Sequence, residues 1–256
     1  MKEINESLKN KDLTQKDYYL KSFEVFKKLL STDKKYLPSI IALFTLNGYI
    51  MHNSFVTMVK AVHTQQVPKL PTMEVLMNLL ILIIIEYALN LFQNDVINRI
   101  DKKNELTRKD ILLRSIILAI AMTFISNLTK SLGPIGIAII FLIAYFAAFF
   151  RQIYLSRNVN LTTAFEKNLK LLENNRLTII LPLFLINIIS AIISSFLMAS
   201  ASVTVLKSPN AAMTVIIILI ISRILVGIFE IYKKILASII SVSYTHLRAH
   251  ETKANL

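Results

Sequence analysis

Residues 177–199 read LTIILPLFLINIISAIISSFLMA, an unbroken apolar run without a single charged side chain. A helix needs about 20 such residues to cross a hydrocarbon core of roughly 30 Å, and a run of this length exceeds what a buried helix of a small soluble domain requires. Five further windows share the character: 37–59, 73–97, 111–128, 135–155 and 211–232. The first is diluted by Asn47, His52 and Asn53. Over the whole 256-residue chain 54% of residues are apolar, more than one soluble core needs. The expectation is an all-α fold, a polytopic membrane helix bundle of six spans.

The formal charge of +13 is distributed between these blocks rather than gathered on one face, which argues for topology and against nucleic-acid binding. Residues 1–36 carry Lys2, Lys9, Lys11, Lys16, Lys21, Lys27, Lys28, Lys34 and Lys35. The second loop carries Arg99, Lys102, Lys103, Arg108 and Lys109, the fourth Arg151, Arg157, Lys167, Lys170 and Arg176, and Lys233 with Lys234 follow the last span. The three intervening loops offer Lys69, Lys130 and Lys207. Short cytoplasmic loops collect Lys and Arg, so both ends are expected in the cytoplasm of a bacterial inner membrane. Residues 1–36 are polar and Lys-rich with no cleavable signal pattern, so the first span is expected to act as the insertion signal.

A repeat precedes alternate spans. Leu13-Thr-Gln-Lys-Asp-Tyr-Tyr-Leu-Lys-Ser22 aligns with Leu106-Thr-Arg-Lys-Asp-Ile-Leu-Leu-Arg-Ser115, and a weaker copy begins at Leu161. Each places a Thr three residues before an acid: Thr14 and Asp17, Thr107 and Asp110, Thr163 and Glu166. A Thr hydroxyl there accepts a backbone N–H while the acid favours the positive helix end, so each copy is expected to start a helix. Two of these helices look amphipathic and interfacial. Tyr19, Phe23, Phe26 and Leu30 share one face of the first, and Leu161, Phe165, Leu169 and Leu172 one face of the other, each opposed by Lys and Glu. The lipid bilayer, and anionic lipids of its inner leaflet, are the expected partners. Pro38 and Pro182 are both placed in the first turn of a span, where no intrahelical donor is lost. Ala191, Ser195 and Ala199, with Ser190 and Ser194, form a small-residue pattern suited to helix packing.

The run Val242-Ser-Tyr-Thr-His-Leu-Arg-Ala-His-Glu-Thr252 has the residues encoded by a transposase sequencing adapter read in triplets. Residues 241–256 are accordingly expected to be a non-native tail, and His246 and His250 to have no part in any site. The natural chain would then be cut short near Ile240.

Chemistry is sparse. With four glycines the chain has no phosphate-cradling loop, and it shows no Gly-x-Ser-x-Gly elbow and no His-Glu-x-x-His helix. There is no Cys, and His52 and His63 are isolated, so no metal, no cofactor and no catalytic residue is expected. Charges inside the membrane cost a few kcal/mol unless paired or hydrated. Glu86 and Arg223 lie about 20 Å and about 18 Å from the outer starts of their spans at 1.5 Å per residue, so they are expected to pair and to tie the second span to the sixth. Arg114, Arg151 and Lys233, nearer the cytoplasm, are expected at headgroup level, where they would contact lipid phosphate.

The stretches Asp17-Tyr-Tyr-Leu-Lys-Ser-Phe-Glu-Val-Phe-Lys-Lys-Leu-Leu30 and Leu161-Thr-Thr-Ala-Phe-Glu-Lys-Asn-Leu-Lys-Leu-Leu172 are similar to segments of a known family. It is the multi-pass membrane domain that precedes the catalytic domain of some bacterial glycerophosphodiester phosphodiesterases, together with its stand-alone relatives. The second stretch resembles that family's helix start before a span, with Asn168 where Ser is usual and without the tryptophans that commonly follow. The resemblance covers most of residues 13–240 and implies no catalytic residues. Together these observations point to a non-enzymatic membrane scaffold or anchor. The alternatives are a transporter or permease subunit, or the membrane half of such a phosphodiesterase.

Overall fold

The computed structural model describes residues 6, 8, 13–101, 105–132, 134–172, 176–208 and 211–254. Of the residues weighed above, Lys2, Lys9, Lys11, Lys102, Lys103 and the last two of the tail, 255 and 256, lie outside these, as do the side chains of Lys130, Arg176, His246 and His250. The described residues form ten helices and no strand: α1 (Gln15–Thr32), α2 (Tyr36–Ile50), α3 (His52–His63), α4 (Thr72–Asp101), α5 (Arg108–Ser131), α6 (Pro134–Phe146), α7 (Phe150–Ser156), α8 (Leu161–Leu172), α9 (Arg176–Lys207) and α10 (Ala212–Ala254).

The fold is all-α, as expected. Among the described residues four helices are long and apolar enough to cross a membrane: Thr72–Asp101, Arg108–Thr129, Ile180–Lys207 and Ala212–Tyr244. Their large side chains point outward in numbers that water would not tolerate, among them Leu80 and Ile84 on α4, Leu113, Ile120 and Phe124 on α5, Ile192 and Phe196 on α9, and Ile217 and Ile221 on α10.

The two remaining apolar windows are interrupted. The window 37–59 is divided at Met51 into α2 and α3, although the hydrogen-bond ladder runs through the interruption: Met51 N–H donates to the Asn47 carbonyl at 3.1 Å and Phe55 N–H to the Met51 carbonyl at 2.9 Å. The window 135–155 is divided at 147–149 into α6 and α7. Here Phe150 N–H reaches back only three residues, to the Ala147 carbonyl at 3.2 Å, and the chain leaves the α-helical ladder.

Two of the three expected caps form. Thr14 and Asp17 make a reciprocal capping box at the start of α1. At α5 the Thr107 hydroxyl donates to Asp110 Oδ2 at 2.6 Å and accepts from Asp110 N–H at 3.2 Å. The third expectation is corrected. The helix α8 begins a turn earlier, capped by Asn160, whose Oδ1 accepts Thr163 N–H at 2.8 Å, so Thr163 falls inside the first turn. Pro182 is corrected as well. Because α9 starts at Arg176, the proline lies inside the helix, where it removes the bond to the carbonyl four residues back. Its own carbonyl accepts from the Tyr19 hydroxyl at 3.1 Å.

The chain divides into two compact units, residues 1–33, 86–185 and 231–256, and residues 34–85 and 186–230, to both of which α4, α9 and α10 contribute. In the first, α1 buries Tyr18, Ser22, Val25 and Leu29. Its ring Phe26 meets Tyr232 edge-on at 6.1 Å, and the Tyr232 hydroxyl donates to the Tyr19 carbonyl at 3.0 Å. The expected apolar face is therefore split: Phe23 and Leu30 project outward, and the stripe that packs is one residue out of phase with it. Helix α10 continues to Ala254 without a break at Val242. In the second unit a core of Ala201, Val205, Val215 and Leu219 is covered by Met51, Phe55, Val56 and Val59.

Candidate functional site

Helix α4 carries Glu86, Asn90, Gln93, Asn94 and Asp101 within about 100° of one another at 3.6 residues per turn. The polar stripe faces the interior of the first unit: Asn90, Gln93, Asn94 and Asp101 are buried. Burying so much polarity beside Leu89, Phe92 and Val96 is costly unless the groups find partners. The amide nitrogens of Asn90, Gln93 and Asn94 do, while Asn90 Oδ1 and Gln93 Oε1 stay buried without a hydrogen bond among the described residues.

Glu86 meets two cations. Arg151 Nη1, in the first turn of α7, donates to its Oε2 at 3.2 Å, and Lys234 Nζ on α10 lies 4.0 Å from the same oxygen. Side-chain exposures of 27% for Glu86, 15% for Arg151 and 7% for Lys234 place the cluster mostly out of solvent, where an ion pair holds its geometry against screening. Below it, Asn90 Nδ2 donates to the Ser115 carbonyl at 3.1 Å, joining α4 to α5, and Asn94 Nδ2 to the Leu155 carbonyl. With its amide turned so that both ends are satisfied, Gln152 accepts from Gln93 Nε2 at 3.1 Å and donates to the Phe149 and Ala148 carbonyls.

The interruption between α6 and α7 is closed from outside the segment. Asn168 on α8 accepts Phe149 N–H with its Oδ1 at 2.8 Å and donates to the Phe146 carbonyl at 2.6 Å. It thus satisfies one donor and one acceptor that the helix ladder abandons. The other end of α7 is closed by Arg114, whose Nη1 donates to the Tyr154 and Arg157 carbonyls, each at 2.8 Å, while its guanidinium lies 4.7 Å from the Tyr154 ring centre. A cation on the last carbonyls of a helix is favourable for the same reason as a capping group.

At the inner end, Arg157 contacts Glu105 at 3.1 Å and Asp101 at 3.5 Å, and Asn158 N–H donates to Glu105 Oε2 at 3.1 Å. That backbone hydrogen bond, more than the guanidinium, holds the Glu105 carboxyl below its ordinary range against the opposing effect of burial. The cavity beside this clasp, lined by Ile97, Asp101, Ile153, Ser156 and Arg157 among others, has a volume of about 30 Å³, room for a water and not for an organic substrate.

Of the expected site residues, the structure brings Glu86 together with Arg151, and with Lys234 beside them. Lys234 follows Arg223 by three turns on the same face of α10, and it joins α10 to α4 through Glu86. Arg223 belongs to the second unit, with its guanidinium carbon 5.7 Å from the Phe44 ring centre. Arg114 and Arg151, expected at the headgroups, are engaged by backbone carbonyls and by Glu86, and Lys233 is half-buried on α10. The residues missed were Asn90, Gln93, Asn94, Gln152, Asn168 and Lys234. The first two were visible as a polar face of one window, and Asn168 as the polar residue of an otherwise apolar helix face.

Compared with protein-family models, with curated proteins and with solved structures, the chain matches none.

Proposed function

We propose that the chain is a six-crossing protein of the bacterial inner membrane, with both ends in the cytoplasm, that acts as a non-enzymatic scaffold or anchor. Four crossings are the long helices; the other two are the interrupted pairs α2 with α3 and α6 with α7. The second pair extends over 134–156, about 34 Å at helical rise if straight, enough for a bilayer core. The alternation of strongly and weakly basic loops supports the orientation. Phe23 and Leu30, exposed among the lysines of α1, and Leu161 and Phe165 on α8 suit contact with anionic inner-leaflet lipid.

The observation that carries the scaffold reading is the engagement of the deep charges of the first unit. Glu86, Arg151, Lys234 and Arg114 are directed at one another or at helix ends, which is how charge is used to fix helix positions. In reconstituted vesicles, Glu86→Gln should lower thermal stability and leave ion and proton permeability unchanged. A proton or solute flux in the native protein that this change abolishes while the fold persists would instead identify a transporter. That second reading draws on the interrupted α6 and α7 beside a buried polar stripe, a combination found where helices open to line a route. The resemblance to the membrane domain of glycerophosphodiester phosphodiesterases is compatible with an anchoring role.

A further inference from the structure

Arg223 lies about three turns into α10, and its Nε is buried without a hydrogen-bond acceptor. Among the described residues its close contact is the face of Phe44, and Glu230, seven residues on, attracts it through space. A guanidinium stays charged, so in an apolar setting the missing Nε acceptor is costly unless something supplies it. Lipid outside the bundle is badly placed to do so. The outward residues of α10, Ile217, Ile221 and Ile228, are about 120–160° away around the helix, so Arg223 points toward the packed side.

Helices α2 and α10 approach closely there. A Cβ on Gly48 would come within 2.8 Å of the Ile220 Cα, and one on Gly227 within 2.6 Å of the Phe44 ring. These two contacts bracket Arg223 on α10 and Asn47 on α2 in one layer. Asn47 is itself buried, and its Nδ2 is committed to Asn78 Oδ1 at 2.7 Å, which leaves its Oδ1 as an acceptor with no donor. The layer thus holds a strong cationic donor and an unfilled neutral acceptor. An oxyanion that still carries a proton matches both, accepting from Arg223 and donating to Asn47, whereas a fully deprotonated oxyanion would leave the Asn47 oxygen unpaired.

We propose that Arg223 and Asn47 form a binding site for a protonated phosphate group, either inorganic phosphate or the phosphomonoester headgroup of a lipid. The site is independent of the scaffold reading, since it requires binding and not transport. The test uses the full chain in uncharged detergent, titrated calorimetrically with inorganic phosphate and with sulfate, and by native mass spectrometry with phosphatidic acid and phosphatidylglycerol. Phosphate should bind saturably and at least ten-fold more tightly than sulfate. Arg223→Gln should abolish binding, and Arg223→Lys, which keeps the charge and loses the planar fork, should weaken it about ten-fold. Asn47→Ala should lower phosphate affinity to that of sulfate and leave sulfate unchanged, which a general loss of structure would not do. Binding of phosphatidic acid but not of inorganic phosphate, lost in Arg223→Gln, would place the group on a lipid. Equal affinity for phosphate and sulfate, binding unchanged in Arg223→Gln, or no binding of any probe would overturn the proposal.

Discussion

The Arg151 guanidinium holds the Glu86 carboxylate at 3.2 Å, joining the first turn of α7 to the middle of α4, with Lys234 of α10 4.0 Å from the same oxygen. Removing the carboxylate leaves two cations facing each other in a poorly hydrated place. Glu86→Gln should therefore destabilise by on the order of 2 kcal/mol, and adding Arg151→Gln should restore part of it. Thermal denaturation of the four members of this double-mutant cycle gives the coupling, and Glu86→Gln with Arg223→Gln should show none.

Asn168 bonds both Phe149 N–H and the Phe146 carbonyl. Asn168→Ala orphans a buried donor and a buried acceptor at about 1–3 kcal/mol each. Asn168→Asp sets a buried carboxylate oxygen against the Phe146 carbonyl, so its melting temperature should fall at least as far as that of the alanine variant at neutral pH.

The close-packed Gly48 and Gly227 differ in what a side chain would strike. At Gly48 the obstacle is the Ile220 backbone, and at Gly227 it is the Phe44 ring, which can turn. Gly48→Ala should cost more than Gly227→Ala, with a difference of at least about 1 kcal/mol as for overpacked cores, read from paired thermal melts.

Glu105 gives a pH dependence of known sign. Its carboxyl is held below its ordinary range by Asn158 N–H, then by Arg157. The folded state thus favours the ionised form, and its contribution is complete above about pH 5 and lost as pH falls through the folded value. Melting temperature should decline on acidification from pH 6 to pH 3, and Glu105→Gln should flatten that decline. Because the side chain is half exposed, the effect is small.

Much of the fold was legible because bilayer-scale apolar runs and Thr-x-x-Asp caps are local signals. The caps at Thr14 and Thr107 formed as read, and Thr→Ala at either should cost about 1 kcal/mol. At α8 an equally good cap one turn upstream, Asn160, displaced Thr163, a competition that spacing alone does not resolve. The interruption at 147–149 has no proline or glycine to announce it, since its stability comes from Asn168 on another helix. The site was legible in part. Glu86 stood out as a charge in an apolar run, but its partners depend on helix phase and tilt, which residue counting cannot supply.

The claim of six crossings is tested most directly by labelling, and a chain without Cys needs no background removed. Single cysteines placed at Gln66, Leu106, Leu132, Val159 and Ser208 would be probed in intact spheroplasts with a membrane-impermeant maleimide. The account predicts labelling at Gln66, Leu132 and Ser208, and labelling at Leu106 and Val159 only after permeabilisation. A Leu106 cysteine labelled from outside, or a Gln66 cysteine protected until permeabilisation, would show that α2 with α3 does not cross and would contradict it.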